Sequence, residues 1–131
     1  MVWCSASLPM RVMTNWLGES PMSTPMPKRG DIWLINLDPT VGSEIQKSRP
    51  CVVVSPAEMH DHLRTIIVAP MTSKSRAAPF RVPLTHAGTK GLILLDQIRT
   101  VDKARLIKPL GRVSAKVLGH TLQTLQEVFA L

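Results

Sequence analysis

The sequence is poor in aromatic residues and in cysteine: its 131 residues include no tyrosine, two phenylalanines and two cysteines. Proteins that stack successive bases of a single strand need several exposed rings, so a broad stacking platform is disfavoured. We expect Trp33 and Phe129 in the core, which leaves Phe80 as one candidate for stacking. Cys4 and Cys51 do not make a disulfide framework, and Cys51 lies in an apolar segment where a buried, inert thiol is the default.

The chain also lacks a long apolar run. No stretch approaches the roughly 18–20 apolar residues of a membrane span. Residues 1–27 contain four prolines and a single basic residue, Arg11, which makes a poor signal peptide. We therefore predict a cytoplasmic protein, with residues 1–27 as a disordered extension. An alternative is that translation starts at Met22 or Met26.

Motifs for nucleotide, acyl-transfer and metal chemistry are missing. There is no G-x-x-x-x-G-K-[ST], G-x-G-x-x-G or G-x-S-x-G. His60 and His62 flank Asp61, but no third and fourth ligand follow at a familiar spacing, so we expect solvated loop histidines and no metal or other cofactor. His120 is predicted at the surface. For Asp31 and Asp38, turn formation is preferred over a catalytic carboxylate pair.

Charge is the strongest compositional signal. The chain carries 16 Lys and Arg against 9 Asp and Glu, a formal net charge of +7. A polyanion is therefore the favoured partner class, and nucleic acid is the commonest polyanion.

Length predicts one domain with its own core, over residues 28–131. Short β-branched and apolar runs predict strands at 31–37, 50–55, 65–72, 80–84, 92–100 and 106–111, with a turn at 88–91. Pro70 suggests an edge or a bulge. We expect a short helix at 56–63 and a C-terminal helix capped by Ser114, whose apolar residues share one buried face. The prediction is a mainly β fold, a small and strongly bent barrel with a short helix and a C-terminal helix. The apolar residues of the last helix are Val117, Leu118, Leu122, Leu125, Val128 and Phe129.

The connection 38–49 is long for a hairpin and has no helical pattern, which is typical of a functional loop. It ends in Arg49, which Pro50 biases towards an extended backbone. A second polar loop, 73–78, follows the third strand. If the loops converge, Arg49 and Thr72 suit a phosphoryl group, and Glu44 suits proton transfer or the orientation of Arg49. The alternative is ordinary surface residues. The candidate constellation is Glu44, Arg49, Thr72, Ser73, Lys74 and Arg76.

Several motifs resemble the MazF/PemK ribonuclease toxins of toxin–antitoxin systems. They are RGDIWLINLDP at 29–39, GSE at 42–44, RPCVVVSP at 49–56, APMTS at 69–73 and LLDQIRTVDKARL at 94–106. Their order and spacing cover about residues 28–131. The run 45–48, Ile-Gln-Lys-Ser, departs from the glycine-rich run of many members, which puts the RNA sequence preference in question.

The resemblance implies an SH3-like barrel that forms a homodimer and cleaves single-stranded RNA without metal. Attack by the ribose 2′-OH would leave a 2′,3′-cyclic phosphate and a 5′-OH. An antitoxin with an acidic tail would occupy the same groove. The segment 96–99 would lie near the dimer contact. The implied catalytic residues are Arg49, Thr72 and Glu44, and the implied RNA-binding residues are Lys47, Ser73, Lys74, Arg76, Phe80, Gln97 and Arg99.

Two other functions remain open from the sequence. One is a gyrase-poisoning toxin on the same barrel, as in the CcdB relatives, although those end in Trp-Gly-Ile and this chain ends in Val128-Phe129-Ala130-Leu131. The other is a catalytically dead module that binds RNA or antitoxin.

Overall fold

The computed structural model describes residues 26–40, 42–44 and 47–131. The predicted disorder of the N-terminal extension therefore falls almost entirely outside the described residues, as do positions 45 and 46 of the long loop. Among the described residues, no helix has the length and apolar content needed to cross a membrane.

The described chain forms a curled antiparallel sheet with one short and one long helix. The short helix α1 (Ala57–His62) precedes the third strand, and the long helix α2 (Ala115–Val128) closes the chain. Single 3-10 turns occupy Leu95–Gln97 and Lys103–Arg105. The strands are β1 (Asp31–Asn36), β2 (Ser48–Val53), β3 (Thr65–Thr72), β4 (Arg81–His86), β5 (Thr89–Leu94), β6 (Arg99–Asp102) and β7 (Leu106–Arg112).

Strand β3 pairs with three other strands of the sheet. One edge pairs with β2, while the other pairs first with β6, from Thr65 to Val68, and then with β5, from Met71 to Thr72. Pro70 lies in the gap between these two partners. Its missing N–H therefore falls where no ladder bond is required. Pro70 marks a change of partner on one side of an internal strand, not the predicted edge or bulge.

Both faces of β1–β3 are buried, which explains why these strands read as continuous apolar runs. Because side chains alternate along a strand, Ile32 and Val52 pack in one core under α2, and Trp33 and Cys51 pack in a second core with β6. Trp33 is 3% exposed, so its predicted core position is confirmed. The mainly β fold with a C-terminal helix is confirmed as well.

Several strand boundaries differ from the prediction. The strands predicted at 50–55 and 80–84 are shifted to Ser48–Val53 and Arg81–His86, and the larger differences lie between residues 88 and 100. The predicted strand at 92–100 is interrupted by the 3-10 turn Leu95–Gln97 and becomes β5 and β6. The interruption lets the chain leave the β5 position and pair again with the other half of β3. The predicted turn at 88–91 is shorter than expected, because Ala87 and Gly88 make a two-residue hairpin turn and β5 begins at Thr89.

The C-terminal helix begins as predicted, with Ser114 Oγ accepting the Val117 N–H at 3.2 Å. The prediction of which helix residues are buried was wrong at the C-terminal end. Thr121 and Thr124 are buried, whereas Phe129 is 69% exposed. Phe129 follows the last helical residue, where the chain no longer covers the sheet.

His60 was wrongly predicted as a solvated loop residue. It lies in α1 and is 3% exposed. Its Nε2 is 2.6 Å from Ser55 Oγ, and its Nδ1 is 3.0 Å from the Pro27 carbonyl. His120 is exposed, as predicted. Among the described residues, no three His, Cys, Asp or Glu side chains are grouped closely enough to hold a metal ion.

Candidate functional site

The base of the long loop between β1 and β2 is closed by Asp38 and Lys47. Asp38 Oδ1 accepts the Lys47 N–H at 2.8 Å, and the Leu37 N–H donates to the Lys47 carbonyl at 3.0 Å. Lys47 has φ 66°, in the left-handed region. The predicted turn-forming role of Asp38 agrees with this contact, and Asp31 accepts the Lys28 N–H in the same manner at 2.8 Å.

Two arginines hold the other side of this loop base. Arg99 Nη1 donates to the Leu37 carbonyl at 3.0 Å. Arg105 Nη1 donates to the carbonyls of Asn36 and Asp38. The start of the loop is therefore fixed to the first residue of β6 and to the 3-10 turn between β6 and β7.

Arg49 and Thr72 belong to neighbouring strands. Arg49 is half-buried and pairs with Ile35 of β1. The β2–β3 register passes through Cys51–Pro70, and continuing it by two residues puts Arg49 opposite Thr72. Directly opposed residues of an antiparallel pair point to the same face. From this continued register we infer that the two candidate catalytic side chains lie on the same face, just beyond the last β2–β3 pair.

The backbone around Thr72 is closely packed. Thr72 Oγ1 accepts the Lys74 N–H at 3.2 Å, which forms a local turn at the start of the second loop. A Cβ added to Gly91 of β5 would lie 3.1 Å from the Thr72 carbonyl oxygen. Glycine therefore lets β5 approach the Thr72 backbone.

An open cleft of about 190 Å³ lies near this end of β3, and neither Arg49 nor Thr72 is among its lining residues. Glu44, Gln97 and Arg99, three of the residues predicted from the sequence, share it with Pro70, which lies two residues before Thr72. The cleft thus joins the long loop, β3 and the turn between β5 and β6. Its described lining is Leu37, Glu44, Pro70, Asp96, Gln97, Ile98 and Arg99.

The remaining predicted RNA-binding residues do not line this cleft. Lys47 is exposed beside the loop base. The other four belong to the segment 73–80, and all four are exposed at the surface: Ser73, Lys74, Arg76 and Phe80.

Arg81 is the residue that sequence reasoning missed. Its Nε and Nη2 donate to the two carboxylate oxygens of Asp96, at 3.1 and 3.0 Å, and its Nη1 donates to the Arg76 carbonyl at 2.9 Å. Its guanidinium also lies 5.7 Å from the centre of the Phe80 ring. These bonds lower the pKa of Asp96 and raise that of Arg81. Arg81 therefore ties the second loop to the cleft wall.

Cys51 lies behind the site and is fully buried. Burial raises the pKa of its thiol to about 12, while the nearby positive charge of Arg99 acts in the other direction and lowers it. A thiol that stays protonated is a poor nucleophile, which agrees with the predicted inert role.

The described chain is thus a small curled antiparallel sheet with a C-terminal helix and an open cleft near the base of the β1–β2 loop. The family comparison makes this specific, because the family model "PemK-like, MazF-like toxin of type II toxin-antitoxin system" matches residues 28–129. The chain belongs to this family, and the resemblance seen in its motifs is confirmed.

Individual relatives agree with this assignment. The chain is 41% identical over 107 residues to Endoribonuclease PemK from Escherichia coli, covering 77% of this chain and 80% of that protein. The crystal structure of MazF from Deinococcus radiodurans is 30% identical, with a TM-score of 0.72, over 81% of this chain and 98% of that chain. A MazE–MazF structure from the same organism is 27% identical, with a TM-score of 0.66, over 81% of this chain and 97% of that chain.

Proposed function

We propose that this family member is a sequence-selective endoribonuclease that cleaves single-stranded RNA without a metal ion. The ribose 2′-OH attacks the adjacent phosphodiester, the 5′-oxygen leaves, and the products carry a 2′,3′-cyclic phosphate and a 5′-OH. The proposal is supported by the β2–β3 register, which, continued two residues beyond the Cys51–Pro70 pair, puts Arg49 opposite Thr72 near a cleft whose lining includes Glu44.

Each residue has a role that its chemistry suits. Arg49 stabilises the charge that develops on the phosphoryl oxygens, since a guanidinium stays protonated and donates in a fork. The Thr72 hydroxyl donates to the same group, and Glu44 accepts the proton of the 2′-OH or orients Arg49. Lys47, Ser73, Lys74 and Arg76 bind neighbouring phosphates, Phe80 stacks on a base, and Gln97 and Arg99 contact the RNA in the cleft.

Two partners follow from the same proposal. The first is a second copy of the chain, which is supported by apolar side chains left exposed in the single copy, with Ile107 51% and Phe129 69% exposed. The second is an antitoxin whose acidic tail competes with RNA for the basic surface, a proposal supported by the MazE–MazF crystal structure from Deinococcus radiodurans. We place this activity in the cytoplasm, with residues 28–131 as the toxin domain.

The chemistry of the RNA ends tests the proposal. Purified protein is incubated with a defined single-stranded RNA in EDTA, and the products are treated with kinase with or without prior phosphatase. We expect 5′ ends that accept phosphate directly and 3′ ends that stay blocked until the cyclic phosphate is opened. RNA bound but uncut would favour the dead module, and cleavage that requires added magnesium would overturn the mechanism.

A further inference from the structure

The cleft beside Glu44 is poorly suited to a phosphate as its sole ligand. Its described lining contains two carboxylates, Glu44 and Asp96, and one cation, Arg99, whose Nη1 is already bonded to the Leu37 carbonyl. Because Arg81 neutralises Asp96 from outside the lining, the wall has no excess positive charge with which to attract a phosphate.

The same cleft suits a flat ring with a polar edge. Leu37, Pro70 and Ile98 supply apolar surface, while Asp96 and Gln97 supply hydrogen-bonding groups. Sequence-specific proteins read unpaired RNA bases by packing on their faces and hydrogen-bonding to their edges. The volume of about 190 Å³ leaves room for a single base.

Asp96 is held in one orientation. Arg81 binds both of its oxygens, at 3.0 and 3.1 Å, and leaves the carboxylate side chain 31% exposed. A carboxylate has about four acceptor positions, so each oxygen keeps capacity to accept a bond from the cleft. Because Arg81 also lowers the pKa of Asp96, the group stays an acceptor and never a donor at neutral pH.

Resting on the RNA cleavage proposed above, we propose that Asp96 and Gln97 read the edge of one base beside the cleaved bond and select against uracil. An acceptor-only carboxylate attracts the exocyclic amino group of cytosine, adenine or guanine. It repels the O4 carbonyl that uracil presents in place of the cytosine amino group, and the proposal is that it faces this position and not the neighbouring N3–H, which is a donor in uracil. Arg81 acts as a positioning residue, since it holds the carboxylate and does not touch the RNA.

The test compares Asp96→Asn with Arg81→Lys on a pool of randomised single-stranded RNA, with the 5′ ends of the products sequenced. Asp96→Asn gains an N–H that can donate to the O4 carbonyl of uracil. The ratio of cleavage with another base to cleavage with uracil at that position therefore falls by about tenfold. Arg81→Lys keeps the acceptor but loses the two-pronged hold on it, so the preference against uracil weakens at the same position, by less than in Asp96→Asn.

Two results would overturn the inference. The first is that the wild-type protein cleaves equally well with uracil at every position around the cut. The second is that Asp96→Asn cleaves more slowly but keeps the wild-type base preference. If Asp96→Asn does not fold, Gln97→Ala is used and must weaken the preference at the same position.

The inference can fail separately from the proposed function. If wild-type protein cuts no RNA, the proposed function is wrong, and base selection is then measured by binding of 2′-O-methyl oligonucleotides that carry cytidine or uridine at each position in turn. Equal affinities for wild type and Asp96→Asn at every position would reject the base pocket itself.

Discussion

His60 shows how one buried residue fixes the start of the described domain. The Pro27 carbonyl can only accept, so we assign the proton of His60 to Nδ1. Nε2 then accepts from the Ser55 hydroxyl, whose oxygen in turn accepts the Ile67 N–H at 3.0 Å. A neutral imidazole therefore links the N-terminal segment, α1 and β3.

This arrangement predicts loss of stability in mild acid. Burial lowers the pKa of His60 below 6.5, and Lys103 and Arg29 act in the same direction while Asp61 and the Pro27 bond oppose them. Because the unfolded chain then binds the proton more readily, the stabilisation is present above pH 6.5 and is lost as the pH falls below it. Urea unfolding from pH 7.5 to 5.5 measures the effect.

The matched comparison for this prediction is His60→Gln against His120→Gln, since His120 is exposed. We expect His60→Gln to be less stable at pH 7.5 but to lose less of its unfolding free energy on acidification. An unchanged pH slope in His60→Gln would contradict the assignment, and His120→Gln should keep the wild-type slope.

At the scale of single elements, the long loop depends on its base. Asp38→Ala removes the acceptor of the Lys47 N–H, which we expect to cost about 1 kcal/mol of stability. Because the loop carries Glu44 and leads into Arg49, cleavage of RNA should fall by more than the change in folded population explains. Asp38→Asn keeps an acceptor oxygen and should restore most of the rate. Equal rates in Asp38→Ala and wild type would show that the loop base does not position the site.

The β4–β5 hairpin carries a residue in an unfavourable conformation. Ala87 has φ 52° and Gly88 has φ 79°, as in a type I′ turn, where asparagine followed by glycine is preferred. We expect Ala87→Asn to raise the free energy of unfolding by about 0.5–1 kcal/mol. Chemical denaturation measures it, with Gly88→Ala as the opposite control. A destabilised Ala87→Asn variant would contradict the turn assignment.

The strands could be predicted where the residues of the strand itself determine the structure. The β-branched runs of β1, β2 and β3 identify strands whichever partner they meet. The interruption at Leu95–Gln97 was not predictable, because it is imposed by the switch of β3 from β6 to β5. His60 was missed for a similar reason, since its partners Pro27 and Ser55 come from separate parts of the chain.

For the whole molecule, the net charge of +7 makes RNA affinity depend on salt. A plot of log affinity for single-stranded RNA against log salt concentration is a line, and its slope falls by about 0.7 for each phosphate that the protein neutralises. We expect the slope for a non-cleavable oligonucleotide to become shallower by about 0.7 in each of Lys74→Gln and Arg76→Gln. Lys116→Gln, on the outer side of α2, is the control and should leave it unchanged. Slopes equal to that of wild type in all three would remove the second loop from the RNA interface.

For the candidate site, residue type pointed to Glu44, and the resemblance to the toxin family pointed to Gln97 and Arg99. These three residues line one cleft, while their roles in catalysis and RNA binding stay predictions. Arg81 was not predictable in the same way. Its function depends on meeting Asp96 fifteen residues later and the carbonyl of Arg76, and a lone arginine in a strand carries no signal of such a pairing.

The most direct test of the mechanism is the single-turnover rate of Arg49→Ala on a saturating RNA. We expect a loss of about 10²–10³-fold in a variant that still folds, as judged by cooperative thermal unfolding. Arg64→Ala, an exposed arginine before the opposite end of β3, should stay within about twofold of wild type because it lies far from the phosphate. A folded Arg49→Ala variant that cuts RNA at the wild-type rate would contradict the account.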